Sequence, residues 1–151
     1  MRRAAWCEDM ANAELNDDFR DMLDALAGAK VEFLVVGAHA LAVHGVVRAT
    51  GDLDIFVRPT RENGERLMTA LRAFGAPVIA HGVSAPDFEQ PDNVYQIGLP
   101  PRRIDLLTGI TGVAFEDAIG RDALLRNKRA TGRDKDRVDA DLLEQQHLRQ
   151  P

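Results

Sequence analysis

Cysteine occurs once, at Cys7, so no disulfide can form within the chain and a reducing, cytoplasmic setting is the simplest expectation. No apolar run approaches bilayer-spanning length, and no membrane contact is expected. Arg2 and Arg3 open the sequence, but the stretch behind them carries Glu8, Asp9, Glu14, Asp17 and Asp18 without an apolar core, so no export leader is expected. Internal repeats and low-complexity tracts are missing, as are a Ser-His-Asp grouping, a Cys-x-x-Cys pair, a Walker-type loop and a dinucleotide fingerprint. His39 and His44 stand five residues apart, off any shared i,i+4 helix face, which argues against a zinc pair. Basic residues are outnumbered, 19 against 24 acidic ones, for a formal charge of -5. This argues against coating nucleic acid by bulk electrostatics, although a local basic run near the C-terminus could still meet a phosphate-rich ligand.

What is there fits one soluble domain. The 151 residues are 45% hydrophobic, enough to build a core. The domain is expected over 14–147, with 1–13 loose and 148–151 a tail. Phe19, Met22, Leu23 and Leu26 recur at helical spacing behind a candidate N-cap, Asn16, and Gly28 stands where that helix would stop. Val31-Glu32-Phe33-Leu34-Val35-Val36 reads as a strand ending at Gly37, and 38–44 as a short helix closed by Gly45. A second strand follows up to Pro59. Thr60 then caps a helix with Leu67, Met68, Leu71 and Phe74 on its apolar side, ended by Gly75. The pattern predicts a short strand over 77–79 and a loop over 81–92. It also predicts an antiparallel pair, Val94-Tyr95-Gln96-Ile97-Gly98-Leu99 with Arg103-Ile104-Asp105-Leu106-Leu107, joined through Pro100 and Pro101. From Phe115 onward the chain is helical in character, broken at Gly120 and near Gly132, with Val138 and Leu142 marking one face of the last helix. The fold class is α+β: a small mixed β-sheet with helices packed on one face and a helical C-terminal tail.

Acids in strands are the informative feature. In Arg48-Ala49-Thr50-Gly51-Asp52-Leu53-Asp54-Ile55-Phe56-Val57 two aspartates open an otherwise apolar strand. Residues i and i+2 of a strand share a face, which sets Asp52 and Asp54 together at roughly 6 to 7 Å. Two negative charges at that separation repel by about 2 to 3 kcal/mol at an effective dielectric near 20, and a divalent ion would reverse the sign. Asp105 interrupts a later apolar run in the same way.

The order strand, Gly37, short helix, Asp52-x-Asp54, then Asp105 on a later strand resembles the DNA polymerase beta-type nucleotidyltransferase fold in its minimal form. The strings Phe33-Leu34-Val35-Val36-Gly37-Ala38-His39-Ala40, His44-Gly45 and Arg48-x-Thr50-x-Asp52-x-Asp54 are similar to small bacterial nucleotidyltransferase-like proteins. These are related to toxins of toxin-antitoxin and abortive-infection systems. Asn127-Lys128-Arg129-Ala130-Thr131-Gly132-Arg133-Asp134-Lys135-Asp136 resembles their C-terminal helical signature. The likeness runs over about 31–143. It implies transfer of an NMP from an NTP to an acceptor hydroxyl, with two magnesium ions held by Asp52, Asp54 and Asp105. Gly37 and Ala38 would lie against the triphosphate through backbone N–H groups, with Arg48, Thr50 and Lys128 completing the nucleotide contacts. The acceptor would be a tRNA end or a protein side chain, and a cognate antitoxin or toxin a partner. One departure stands out: the wider family often has a serine where this chain has Ala38, leaving only backbone donors there.

Plainer readings exist for each residue. Asp52 and Asp54 can terminate a loop, Asp105 can pair with Arg102 or Arg103 at a strand end, and Gly37 can be an ordinary turn glycine. His39 can cap or pack, and Thr50 can simply order its turn. Arg126, Lys128, Arg129, Arg133, Lys135 and Arg137 can be solvated helix charges paired with Asp134, Asp136 and Asp139. A catalytically silent nucleotide- or partner-binding chain of the same fold is the main alternative function. An antibiotic-modifying transferase ranks lower, because the chain leaves little room for a sugar-binding domain.

Overall fold

The computed structural model describes residues 16–37, 52–99, 102–118, 129 and 134–149. Helix α1, Asp17–Gly28, begins at Asn16, whose side chain accepts the Phe19 N–H at 3.0 Å, and carries Asp17 and Asp18 in its first turn, where the helix dipole favours them. Gly28 is its last helical residue, but the turn that stops it comes two residues later. Lys30 takes a left-handed φ of 58°, its N–H reaches Ala27 O and that of Val31 reaches Leu26 O, a Schellman closure. Strand β1, Phe33–Val36, follows, then β2, Asp52–Val57. The helix predicted over 38–44 lies outside the described residues.

Helix α2, Arg61–Phe74, starts at Thr60, whose hydroxyl accepts the Asn63 N–H, and ends at Gly75 with φ 91°. Its buried residues include Leu67, Met68, Ala70 and Leu71. Gly64 lies where α2 passes a 3-10 turn, Ala85–Phe88: a Cβ there would sit 2.8 Å from Ala85 O. That turn is held by Asp87, whose carboxylate accepts the Ser84 N–H at 2.8 Å, and it buries Phe88. The strand predicted over 77–79 is a series of turns instead. Pro77 has no N–H for a ladder, and Ile79 is 93% exposed, so only Val78 has anything to bury.

Strands β3, Val94–Ile97, and β4, Arg103–Leu107, form the expected antiparallel pair. The sheet order is β1-β2-β4-β3, with β2 and β4 parallel in the middle and antiparallel partners on both sides. Parallel pairing needs a crossover, and α2 lies within it. One sheet face presents Val35, Leu53, Ile55, Val57, Ile97, Ile104 and Leu106 to α1 and α2, and these residues form one core cluster. Each such apolar side chain contributes about 1.5 to 3 kcal/mol on burial, so this layer carries the folding energy. The opposite face mixes strand-borne acids with apolar residues such as Phe56, which is 2% exposed. A 3-10 turn, Phe115–Asp117, precedes α3, Asp134–Arg149, on which Val138 and Leu142 are exposed, while Ala140 is buried. Among the described residues no helix is long and apolar enough to cross a membrane.

Asn63 is the polar residue on which α2's placement turns. It is 1% exposed; its Oδ1 accepts the Glu32 N–H at 2.7 Å, and its Nδ2 donates to Glu32 O and Arg58 O, both at 3.0 Å. One amide thus joins the start of α2 to the chain entering β1 and leaving β2. Asn63→Ala is expected to destabilise the protein by about 2 to 4 kcal/mol in urea titrations, because it leaves buried backbone groups unpaired. A loss under about 0.5 kcal/mol, typical of a surface change, would mean that the peg is incidental.

Candidate functional site

The acids gather on the sheet face away from α1 and α2. Leu53 and Ile55 on β2 point into the core, which turns Asp52 and Asp54 the other way. Ile104 and Leu106 do the same for Arg103 and Asp105 on β4. Register completes the arrangement: Asp54 is the Cα partner of Asp105, Asp52 of Arg103, Val36 of Asp54 and Gln96 of Asp105. A single row therefore crosses the sheet as Val36, Asp54, Asp105, Gln96. Asp105 faces the same way as Asp52 and Asp54, from the neighbouring parallel strand.

Gly37 turns out to serve Asp54. Its φ is +71°, and a Cβ on it would lie 2.2 Å from Asp54 Oδ2 and 3.1 Å from Asp54 Cγ. The space its missing side chain leaves is the space the Asp54 carboxylate uses. Backbone approach, rather than a generic turn, is what the glycine permits.

Arg103 was considered in the sequence only as a plain partner for Asp105, and it does more than that. Its Nη2 lies 2.7 Å from Asp52 Oδ2 and its Nε 3.1 Å from Asp105 Oδ1, so one guanidinium reaches acids on two strands. Arg102 instead pairs with Asp18 on α1 at 3.2 Å. The Asp105 side chain is 9% exposed, and its Oδ1 completes no hydrogen bond even though Nε is near; charge attracts charge, but the N–H is aimed aside. Burial pushes the Asp105 carboxyl above its usual range and the Asp52 charge adds to the rise, while Arg103 and a Gln96 hydrogen bond pull it down without cancelling it.

The row beyond the acids is apolar: Leu34, Phe56, Leu107 and Val94 are aligned by the same register. Phe56 meets Phe115 edge-on at 5.1 Å, and Arg58 lies over the Phe115 ring at 4.6 Å while pairing with Glu32 and Glu116. The 3-10 turn at Phe115–Asp117 thus closes one end of the face and leaves the acids toward the other. No sequence spacing announced this clasp, since Arg58, Glu32 and Phe115 come from three distant segments.

Ala38, Arg48, Thr50 and Lys128, the other predicted nucleotide contacts, lie outside the described residues, as does His39. Of the basic C-terminal run, Arg129 pairs with Glu144, and Arg137 approaches Asp134 at 3.8 Å along the helix. These two are paired helix charges, the plainer reading. Among the described residues no three His, Cys, Asp or Glu side chains stand arranged to hold an ion as they are. The donor chemistry nevertheless fits a cation: three carboxylates share a face, and a positive group already lies against two of them. Comparison with known proteins gives no relative, since no family model, no curated protein and no solved structure matches the chain.

Two outcomes are expected. Gly37→Ala should cost well beyond Gly75→Ala: both positions have positive φ, worth about 1 to 2 kcal/mol to a side chain, but Gly75 has no atom within 4 Å of an added Cβ. The excess should shrink in an Asp54→Ala background, which removes the carboxylate and leaves only the Cβ of residue 54, 3.2 Å away; a full excess persisting there would show that the Asp54 carboxylate is not what fills the space. For Asp105, the folded carboxyl binds its proton more tightly than the unfolded one, so stability is complete below the ordinary value of 3.8 and is lost as pH rises through the raised folded value. In chelator, Asp105→Asn should therefore melt above the native protein at neutral pH, with the gap closing toward pH 3.8. A gap independent of pH would contradict the burial penalty.

Proposed function

We propose that this chain is a metal-dependent nucleotidyltransferase of the polymerase beta-like fold, moving an NMP from an NTP to an acceptor hydroxyl. The observation that carries this reading is the register that sets Asp105 beside Asp54, with Asp52 two residues along, all on the sheet face away from α1 and α2. Asp52, Asp54 and Asp105 would hold magnesium, which supplies a lowered pKa for the attacking oxygen and neutralises the leaving pyrophosphate. In the reaction the acceptor oxygen bonds to the α-phosphorus, the bond to the bridging oxygen breaks, and pyrophosphate leaves with that electron pair. Asp105 would complete the site for the ion that activates the acceptor hydroxyl, and the proton leaves that hydroxyl as the ion lowers its pKa. Gly37 gives the Asp54 carboxylate its room, and backbone N–H groups following it would donate to phosphate oxygens. Most of the rate in phosphoryl transfer comes from such positioning and charge stabilisation.

The acceptor is proposed as a tRNA end or a protein side chain, with the formal charge of -5 favouring a protein or small acceptor and the basic C-terminal run favouring tRNA. A place in a cytoplasmic toxin-antitoxin pair, beside a cognate partner, follows from the same resemblance. A second reading has one specific observation behind it. Arg103 already pairs with both Asp52 and Asp105, as in a chain that keeps the fold and binds nucleotide or partner without turnover.

Incubation with labelled ATP, CTP, GTP or UTP, magnesium and cell extract separates the two. Label transfer is expected with the native protein, falling at least about a hundredfold in Asp52→Asn/Asp54→Asn, given that even outer-shell losses reach that size. Transfer that survives the double substitution would remove the carboxylates from the chemistry. Magnesium-dependent nucleotide binding without pyrophosphate release across the acceptors would favour the silent reading.

A further inference from the structure

We infer that Arg103 is a resident counter-cation that a divalent ion must displace, so that ion uptake on this face exchanges one cation for another. The inference builds on the transferase reading for its purpose, but its substance is how two carboxylates are held before any ion arrives. Arg103 is in register with Asp52 on the neighbouring strand and stands two residues before Asp105 on its own. Its side chain lies across the face, touching Asp52 Oδ2 through Nη2 and Asp105 Oδ1 through Nε. The contacts use different nitrogens of one planar fork, so the guanidinium fixes the spacing of the two acids and ties β2 to β4 by side chains as well as by the ladder. Without it, carboxylates on adjacent strands would repel.

Asp105 supplies the independent observation that a cation belongs there and that Arg103 is an imperfect one. Its side chain is more than nine-tenths buried, at 9% exposure, yet Oδ1 accepts no hydrogen bond, with Nε 3.1 Å away. A buried oxygen left in that state is rare in native structures, because desolvation has removed its water without a replacement. A spherical ion has no donor direction to satisfy and accepts oxygen from any side, which a planar fork bound to two acids at once cannot do. Arg103 also has no way to yield by losing its proton, since a guanidinium stays charged throughout the accessible pH range. Sharing the same oxygens with a second cation would set like charges in contact. Arg103 therefore has to move, and at 30% side-chain exposure it borders solvent. Asp52, 29% exposed, lies on that open side, so the exchange begins there and ends at the buried Asp105.

Manganese binding to the full chain, followed by the loss of free-ion EPR signal, tests the exchange. Arg103→Gln keeps length and polarity without charge, and it should bind Mn2+ at least about tenfold more tightly than the native protein, with Arg103→Lys in between. In chelator the same Arg103→Gln protein should melt below the native one, because the acids lose their tie. Equal or weaker Mn2+ binding by Arg103→Gln overturns the inference, and so does absence of binding in both proteins. A measurement on the native chain does not depend on how the variants fold. The Arg103 Nε–H NMR signal, identified by its loss in Arg103→Lys, should shift in step with Mg2+ saturation; a signal that stays in place overturns displacement. Exchange observed without nucleotide transfer to any acceptor leaves this inference standing and removes the transferase reading. Transfer observed with Mn2+ affinity unchanged by Arg103→Gln does the reverse.

Discussion

Asp54 and Asp105 are opposite each other in a parallel ladder, and every other property of the acidic face follows from that pairing. Side chains alternate with a period of two, so a one-residue slip of β4 against β2 would carry Asp105 into the layer of Leu53, Ile55, Ile104 and Leu106 and send an apolar neighbour out. An unpaired carboxylate among those residues would be far more costly than any contact it could make. The register is therefore enforced by the core on the far side. The acids do not choose their position; α1 and α2 choose it for them by requiring apolar side chains from both central strands on one face.

Local features were legible in the sequence because they are written within a few residues. Asn16 and Thr60 cap α1 and α2 as their side-chain chemistry predicts, and Gly75 closes α2 in the left-handed conformation. The strand-borne acids were visible as interruptions of apolar runs, and their common face on β2 followed from spacing alone. Where the reading went astray, the deciding interaction was non-local or backbone-borne. Val78 and Ile79 look like strand residues, but Pro77 and the lack of a neighbouring strand leave them in turns. Val138 and Leu142 have the spacing of a helix face; spacing reports which residues share a side, not whether anything covers it, and both are exposed. Gly28 ends α1 as its composition signal predicts, and the left-handed φ of 58° that closes the turn falls on Lys30, which carries no such signal.

The site itself shows the same division. That Asp52, Asp54 and Asp105 were worth naming came from residue type and position; that Asp105 sits beside Asp54 rather than elsewhere on the sheet came only from strand order. Gly37 was singled out for phosphate approach, whereas in the structure its open side is filled by Asp54 Oδ2, a contact between residues 17 positions apart (37 to 54) that nothing in either local sequence encodes. Asn63 carries no local signal of its role at the third position of α2. Its three hydrogen bonds to Glu32 and Arg58 are visible only once β1 and β2 are paired.

Charge on the face then decides what kind of site it is. With Asp52, Asp54 and Asp105 ionised and Arg103 opposite them, these four side chains sum to -2, three negative charges against one positive. Arg103 holds Asp52 and Asp105 unevenly: a 2.7 Å hydrogen bond to Asp52, 29% exposed, and an ill-aimed 3.1 Å contact to buried Asp105. A structural ion-pair network that had settled into its best geometry would satisfy the buried partner first, because unsatisfied groups cost most where water is excluded. Here the order is inverted, with the better bond on the wetter side. The poorly satisfied buried oxygen on Asp105 leaves its charged form at a disadvantage, which is the direction in which burial moves its carboxyl.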